Sequence, residues 1–309
     1  MVVATSAPLL ELRGVSKRFG AVQALTDIQF DVNAGEVVAL VGDNGAGKST
    51  LIKLISGIYA ADDGQFLWQG QPVTIAGPGD SAALGIATVY QDLALCDNLD
   101  VVGNLYLGRE AGGGGALGRM NEVAMEKRSI DVLRRLSVKI PSVRIPIAGL
   151  SGGQRQSVAV ARSVLWDNKV VLLDEPTAAL GVAQTHEVLE LVKRLRDEGH
   201  GVVIISHNLA DVFEVADRIT VLRLGRYVGT YDAKRVGREQ LVGLMTGAVP
   251  GIADESLEDP TAAPGIAVVG TAPSPVAAPA DLPGDAAEPD TPYPDETSND
   301  PGAPGEVGR

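Results

Sequence analysis

The chain has 309 residues and a formal net charge of −13, enough length for one large or two ordinary domains with a full apolar core. The acidity is unevenly spread: residues 249–309 hold 12 acids, one arginine and no lysine, which leaves a charge of about −2 on residues 1–248. A nearly neutral body lacks the clustered Lys and Arg that nucleic acid demands, and the acidic end is repelled by phosphate and anionic lipid, so no nucleic-acid partner is expected.

The same C-terminal segment carries 12 of the 18 prolines, in runs such as "PSPVAAPADLPGDAAEPDTPYPDE". It cannot bury enough apolar surface to offset the entropy of ordering, and is expected to be a disordered acidic tail over 249–309. Cys96 is the single cysteine, which excludes an intrachain disulfide and gives no sign of an oxidising compartment. "MVVATSAPLL" has no basic residue before its apolar letters and does not read as a signal peptide. No run approaches the roughly 20 apolar residues of a membrane span, so a cytoplasmic location is expected.

In chain order, apolar letters alternate in "LLELRGV" (9–15) and "ALTDIQFDV" (24–32), which predicts antiparallel strands with one wet face. The continuous runs "VVALVG" (37–42), "KVVLLD" (169–174) and "GVVIIS" (201–206) predict strands buried on both faces, as in a parallel sheet. Helical patterns separate them: "KSTLIKLISGIY", "QRQSVAVARSVLWD" and "AQTHEVLELVKRLRDEG", the last with Val188, Leu191, Val192 and Leu195 on one stripe. The order predicts an α/β layered core. From Asp92 to Pro146 the strands give way to "DVVGNLYLGRE" and "NEVAMEKRSIDVLRRLSV", split by "GGGG" at 112–115, and a helical subdomain of about 92–160 is expected here. The chain then returns as the hairpin "RITVLRLGRYVGTYD" and a final helix "REQLVGLMTG".

"GDNGAGKST" (42–50) fits G-x-x-x-x-G-K-[ST], follows a buried strand and opens a helix. Gly42, Asn44, Gly45 and Gly47 lie in a loop whose glycines let backbone N–H groups turn inward as an anion nest at a helix start. Lys48 would reach the β and γ phosphates of a nucleotide, and the Ser49 hydroxyl would ligate Mg²⁺. In "VVLLDEP", Asp174 after four apolar residues suits a second Mg²⁺ contact through water, and Glu175 suits a group that polarises the attacking water or takes its proton. Without the phosphate loop, the acid pair would read equally as a turn or helix cap. His207 follows the buried strand "VVIIS", at the strand end where α/β sheets bind ligands. Gln91, ending "IATVYQ", could touch Mg²⁺ or the water, and taken alone reads as a solvated loop amide.

A further stretch, "LSGGQRQ" (150–156), makes a second helix-start anion site that a one-subunit ATPase would not need. With "GDNGAGKST", "VVLLDEP" and "ISH" in this order over residues 9 to about 247, the chain resembles the ATP-binding cassette (ABC) ATPases. That resemblance implies a P-loop NTPase core with an antiparallel β subdomain and an inserted α-helical subdomain, an ATPase domain over 9–248, and a head-to-tail dimer closing on two ATPs with Mg²⁺. It implies that Phe19 stacks on adenine, that Thr50 joins the phosphate contacts, that Ser151 and Gly153 bind the γ-phosphate in trans, and that His207 holds it in cis. Gln91 would link the ATP site to a membrane permease near "QDLALCDNLDVVGNLYLGRE". This stretch and the one around the phosphate loop resemble the ATPases of bacterial ribose, xylose and fructose importers. Such an ATPase sits on the inner face of the membrane with permease subunits and, through them, a sugar-binding protein. The single cassette implies a homodimer or a pairing with another ATPase. Two departures stand out: Gly181 lies where most cassettes carry Asp, and Gly103 where relatives often carry Glu. Two other readings stay open here, a non-transport cassette ATPase on ribosomes or DNA, and a regulator with impaired hydrolysis.

Overall fold

The computed structural model describes residues 7–110 and 120–249. The "GGGG" stretch and all but the first residue of the acidic C-terminal segment lie outside them. The chain runs through β1 (Leu10–Phe19), β2 (Val22–Val32), β3 (Glu36–Val41), α1 (Lys48–Ile55), β4 (Asp63–Trp68), β5 (Gln71–Val73), α2 (Pro78–Leu84) and β6 (Ile86–Val89). Then follow α3 (Val101–Tyr106), α4 (Glu122–Arg135), α5 (Gly152–Val164), β7 (Val170–Asp174), α6 (Val182–Asp197) and β8 (Gly201–Ile205). The described part closes with α7 (Leu209–Val215), β9 (Arg218–Arg223), β10 (Arg226–Asp232) and α8 (Arg238–Thr246). Among the described residues no helix is long and apolar enough to cross a membrane.

The strands form one sheet in the order β5-β4-β1-β2-β10-β9-β3-β8-β7-β6. Strands β1 and β2 pair antiparallel, as the alternating pattern predicts, and β4 and β5 extend that antiparallel half beside β1. Strands β9, β3, β8, β7 and β6 pair parallel, so their carboxyl ends share one edge. The continuous apolar runs have a direct explanation in this half. Val37, Ala39, Val41, Val171, Leu173, Val202 and Ile204 enter the core on one face, and Val38, Leu40, Val170, Leu172, Val203 and Ile205 enter the core on the other. With helices covering both faces, neither set of alternate side chains meets water. Burying each such Val, Leu or Ile contributes roughly 1.5–3 kcal/mol before entropy is counted.

The predicted stripe on α6 is realised, with Val188, Leu191, Val192 and Leu195 all buried. Helices α3, α4 and α5 fall between β6 and β7, where the helical insertion is expected. Helix α3 is shorter than its pattern, because Leu107 leaves helical geometry (ψ 118°) and Gly108 turns left-handed (φ +77°). Asp100 caps it by accepting from Gly103 N at 2.6 Å. The β4–β5 hairpin and α2 had no expectation from periodicity. The hairpin turns on Gln69 and Gly70, both left-handed (φ 51° and 78°), and α2 starts at Pro78 with Asp80 accepting from the backbone N–H groups of Ala76 and Gly77.

The antiparallel and parallel halves meet at a thin seam, where β2 and β10 share only the Thr26–Arg226 pair. Arg218 fastens it. Its guanidinium donates to both carboxylate oxygens of Asp31 on β2 at 2.7 and 2.8 Å, and to Glu36 on β3 at 3.2 Å. Glu36 also accepts from the Asn33 N–H and amide at 2.9 Å. Burial pushes the Arg218 pKa down, but the two carboxylates outweigh it and the net shift is upward. Arg218→Leu would leave Asp31 and Glu36 facing each other without their cation. We expect it to lower unfolding free energy by roughly 2–4 kcal/mol in a urea titration, and a change within ~0.5 kcal/mol would remove the seam from the account.

Candidate active site

The loop after β3 wraps a buried lysine. Gly42, Gly45 and Gly47 all have positive φ (151°, 80° and 102°). At Gly42 a Cβ would lie 2.2 Å from Leu222 O, and at Gly47 one would lie 2.5 Å from Leu25 Cδ2, so neither position can hold a side chain. Lys48 is 6% exposed and its Nζ donates to Gly42 O at 2.6 Å and Asp43 O at 3.0 Å. Burial holds its pKa below the ordinary lysine value against the opposing pull of Glu175, Asp43 and Asp174. The α1 N-terminus at Gly47 has no side-chain cap, which leaves its N–H groups for a ligand.

Strand β7 brings the acid pair. A strand alone would send Asp174 and Glu175 to opposite faces. Glu175 escapes this alternation through a left-handed backbone (φ 51°), uncommon for a residue with a side chain, held by Glu175 N donating to Ile205 O at 3.0 Å and Glu175 O accepting from Ala178 N at 3.1 Å. Its Oε1 then meets His207 Nε2 at 2.7 Å. Asp174 stays at the strand end, and burial together with the adjacent Glu175 raises its pKa above the carboxylate range, against Lys53, Lys48 and His207.

A cleft of about 380 Å³ is lined by Asn44, Gly45, Gly47, Lys48, Ser49, Thr50, Glu175 and His207 and walled by Gln23, Ala24 and Gly225; Gly42 and Asp174 lie outside its lining. The structure thus brings together most of the expected residues. Gln91 is not in the lining. It is exposed two residues beyond Val89, whose partner Leu173 precedes Asp174, so it lies at the same edge of the sheet. Phe19 is 40% exposed at the end of β1, its ring edge-on to Tyr59 with centroids 5.0 Å apart.

Ser151 and Gly153 are elsewhere, at the start of α5. Ser151 caps that helix, its Oγ accepting from Gln154 N at 3.3 Å while Gln154 Oε1 accepts from Ser151 N at 3.0 Å. The two glycines have a packing reason: a Cβ at Gly153 would lie 2.9 Å from Gln184 Cβ, and one at Gly152 would lie 3.2 Å from Leu180 Cδ2. Gly181 caps α6 with extended backbone (φ −73°, ψ 162°) and open space around its missing Cβ. The fold therefore does not require glycine there. Residues that sequence reasoning missed are Thr177, Asn208 and Asp211, which are hydrogen-bonded to one another beneath the acid pair and the histidine.

Donors and acceptors suit a nucleotide triphosphate with a hard cation. A lysine and a nest of N–H groups face anionic oxygen, and the hydroxyl of Ser49 with the carboxylate of Asp174 supplies oxygen ligands. The Asp174 charge is disfavoured by the empty fold. Asp174→Asn should accordingly raise the Tm of the nucleotide-free chain at pH 7 while abolishing ATP turnover in Mg²⁺; a lower Tm would contradict the electrostatic reading of this carboxylate.

Comparison with known proteins agrees with this geometry. Residues 25–178 match the ABC transporter family model. The chain is 46% identical over 238 residues to the xylose/arabinose import ATP-binding protein of Sulfolobus acidocaldarius, covering 77% of this chain and 94% of that protein. It is 45% identical to the fructose import ATP-binding protein of Rhizobium meliloti, covering 78% of this chain and 95% of the relative. A ribose import ATP-binding protein of Yersinia pestis is 41% identical, with 46% of its length covered. A solved nucleotide-free ATP-binding cassette from an ABC transporter superposes with a TM-score of 0.66 at 25% identity, covering 77% of this chain and 95% of the other. An ATP-binding cassette in its ADP conformation superposes with a TM-score of 0.67 at 26% identity, covering 78% and 96%. The phosphate loop, the acid pair at the end of β7 and the serine-capped α5 belong together for a reason: this chain is a member of the ABC transporter ATP-binding family.

Proposed function

We propose that the chain is the ATP-hydrolysing subunit of an importer for a monosaccharide, acting as a head-to-tail dimer that closes on two ATPs and drives a membrane permease served by a sugar-binding protein. The ATPase domain is residues 9–248, with a helical subdomain at about 92–160, and it works peripherally on the cytoplasmic face of the membrane. The sugar class is supported by the names of the xylose/arabinose, fructose and ribose relatives, which also favour transport over action on ribosomes or DNA. The observation that carries the chemistry is the left-handed turn at Glu175, which sets its carboxylate 2.7 Å from His207 at the mouth of the lysine loop.

In this reading Gly42, Asn44, Gly45, Gly47, Lys48, Ser49 and Thr50 cradle the phosphates, and Phe19 stacks on adenine. Mg²⁺, bound by Ser49, Asp174 and Gln91, would supply charge neutralisation on the β and γ phosphates. Glu175 orients a water and accepts its proton as the water oxygen bonds to the γ-phosphorus and the bond to the bridging oxygen breaks, giving ADP and inorganic phosphate. His207 gives up its contact with Glu175 to hold the γ-phosphate. Ser151 and Gly153 of the partner subunit complete the grip. Because position 181 is open, the absent carboxylate there is a property of this sequence rather than of its fold. Lys48, Asp174, Glu175 and His207 are all present, which favours an active ATPase over an impaired regulator.

Glu175→Gln should lower kcat by roughly 10²–10³-fold, keep ATP affinity within about twofold, and accumulate an ATP-bound dimer on a sizing column. Turnover at the level of the unaltered chain would take Glu175 out of the reaction. For the transport role, affinity purification of the full chain from gently solubilised membranes should recover a multi-span permease by mass spectrometry. Recovery with ribosomal proteins instead would shift the reading to a non-transport ATPase.

A further inference from the structure

The turn that carries Glu175 and the loop that carries His207 come from different strands. Their last shared backbone hydrogen bond is Glu175 N to Ile205 O, at 3.0 Å. Beyond it, residues 176–180 and 206–211 leave the sheet, and among the described residues no backbone hydrogen bond joins them. The 2.7 Å contact between Glu175 and His207 nevertheless needs both loops in one register.

One buried carboxylate spans this gap. Asp211, 6% exposed in the first turn of α7, accepts from Thr177 Oγ1 at 2.7 Å through Oδ2 and from Asn208 Nδ2 at 2.8 Å through Oδ1. Thr177 stands two residues after Glu175, and Asn208 directly follows His207. Asn208 is itself fixed, its Oδ1 accepting from Ala210 N at 3.0 Å and its N–H donating to Ser206 Oγ at 3.1 Å. Each oxygen of Asp211 therefore holds one loop, and the rigid carboxylate sets the distance between them.

We propose that Asp211 is a positioning residue for ATP hydrolysis, a clamp that keeps the Glu175 turn and the His207 loop in register through Thr177 and Asn208. The proposal rests on the reading of Glu175 and His207 as the reacting pair. It concerns residues outside the lining of the phosphate cleft, so their loss changes the placement of the pair and not the grip on phosphate.

Chemistry selects the variants. Asp211→Leu keeps roughly the volume and removes both acceptor oxygens, so Thr177 and Asn208 lose their shared partner; an amide would not serve, because its NH2 can donate to the Thr177 hydroxyl while its oxygen accepts from Asn208. Thr177→Val keeps the volume and removes the hydroxyl, whereas Thr177→Ser keeps the hydroxyl. Asp31→Asn weakens the Arg218 seam far along the sheet and serves as a control for lost stability alone. On the full chain, Asp211→Leu and Thr177→Val should each lower the kcat of ATP hydrolysis by about tenfold with KM within about twofold, and the double variant should be no slower than the worse single one. Thr177→Ser should keep most of the turnover, and Asp31→Asn should lose Tm while holding kcat. The clamp is overturned by unchanged kcat in Asp211→Leu, by losses that multiply in the double variant, or by an equal kcat loss in Asp31→Asn. Glu175→Gln in the same assay separates the two failures. If it loses turnover and Asp211→Leu does not, the clamp alone fails; if Glu175→Gln stays active, the underlying pair fails.

Discussion

Everything at the site depends on the parallel register of β3, β8, β7 and β6. Parallel pairing forces all four carboxyl ends to one edge of the sheet, and burial of both faces fixes which residue is the last one inside. A shift of one residue in β7 would exchange its two side-chain sets between the core faces and move the acids off the strand tip. The phosphate loop, the acid pair, His207 and Gln91 are thus four separate strand endings brought together by one pattern of hydrogen bonds. The apolar runs that read as core packing are also the machinery that sets the spacing of the chemistry.

Much of this was open to a reading of the sequence. Val37 to Val41, Val170 to Leu173 and Val202 to Ile205 are apolar at every position, and only a strand covered on both sides tolerates that pattern. The glycines of the phosphate loop and the lysine after them carry their geometry in their spacing. What was hidden needed contacts between residues far apart in sequence. Nothing in "DEPT" or "SHNLAD" announces that Thr177 and Asp211, 34 positions apart, share a hydrogen bond. The left-handed turn at Glu175 was hidden as well, because the residue gives no local signal of it and tertiary contacts impose it. The β4–β5 hairpin escaped because its turn uses Gln-Gly where Asn-Gly is the stronger cue, and α2 is only seven residues long.

The electrostatics of the cleft are deliberately unbalanced. Two adjacent carboxylates sit beside a buried lysine, and burial disfavours the charge of Lys48 and of Asp174. Lys48 is meanwhile held by two backbone carbonyls, which fix its ammonium in place although burial still disfavours the charge. An anion entering this cleft would meet a cation that is fixed in place, and a cation beside Asp174 would lower the pKa of that acid. Binding energy is available for closing the site because little is needed to build it.

The close approach of α5 and α6 has a mechanical meaning. Gly153 leaves no gap for even a methyl group against Gln184, and Gly152 packs beside Leu180, just ahead of the glycine that starts α6. The head of α5 and the head of α6 are consequently one bracket with two prongs. A tilt of the serine-tipped prong drags the turn at 178–181 with it, and that turn is the continuation of the Glu175 loop. Ser151 at the exposed tip of α5 is therefore linked to the turn that follows Glu175 by a path only a few side chains long.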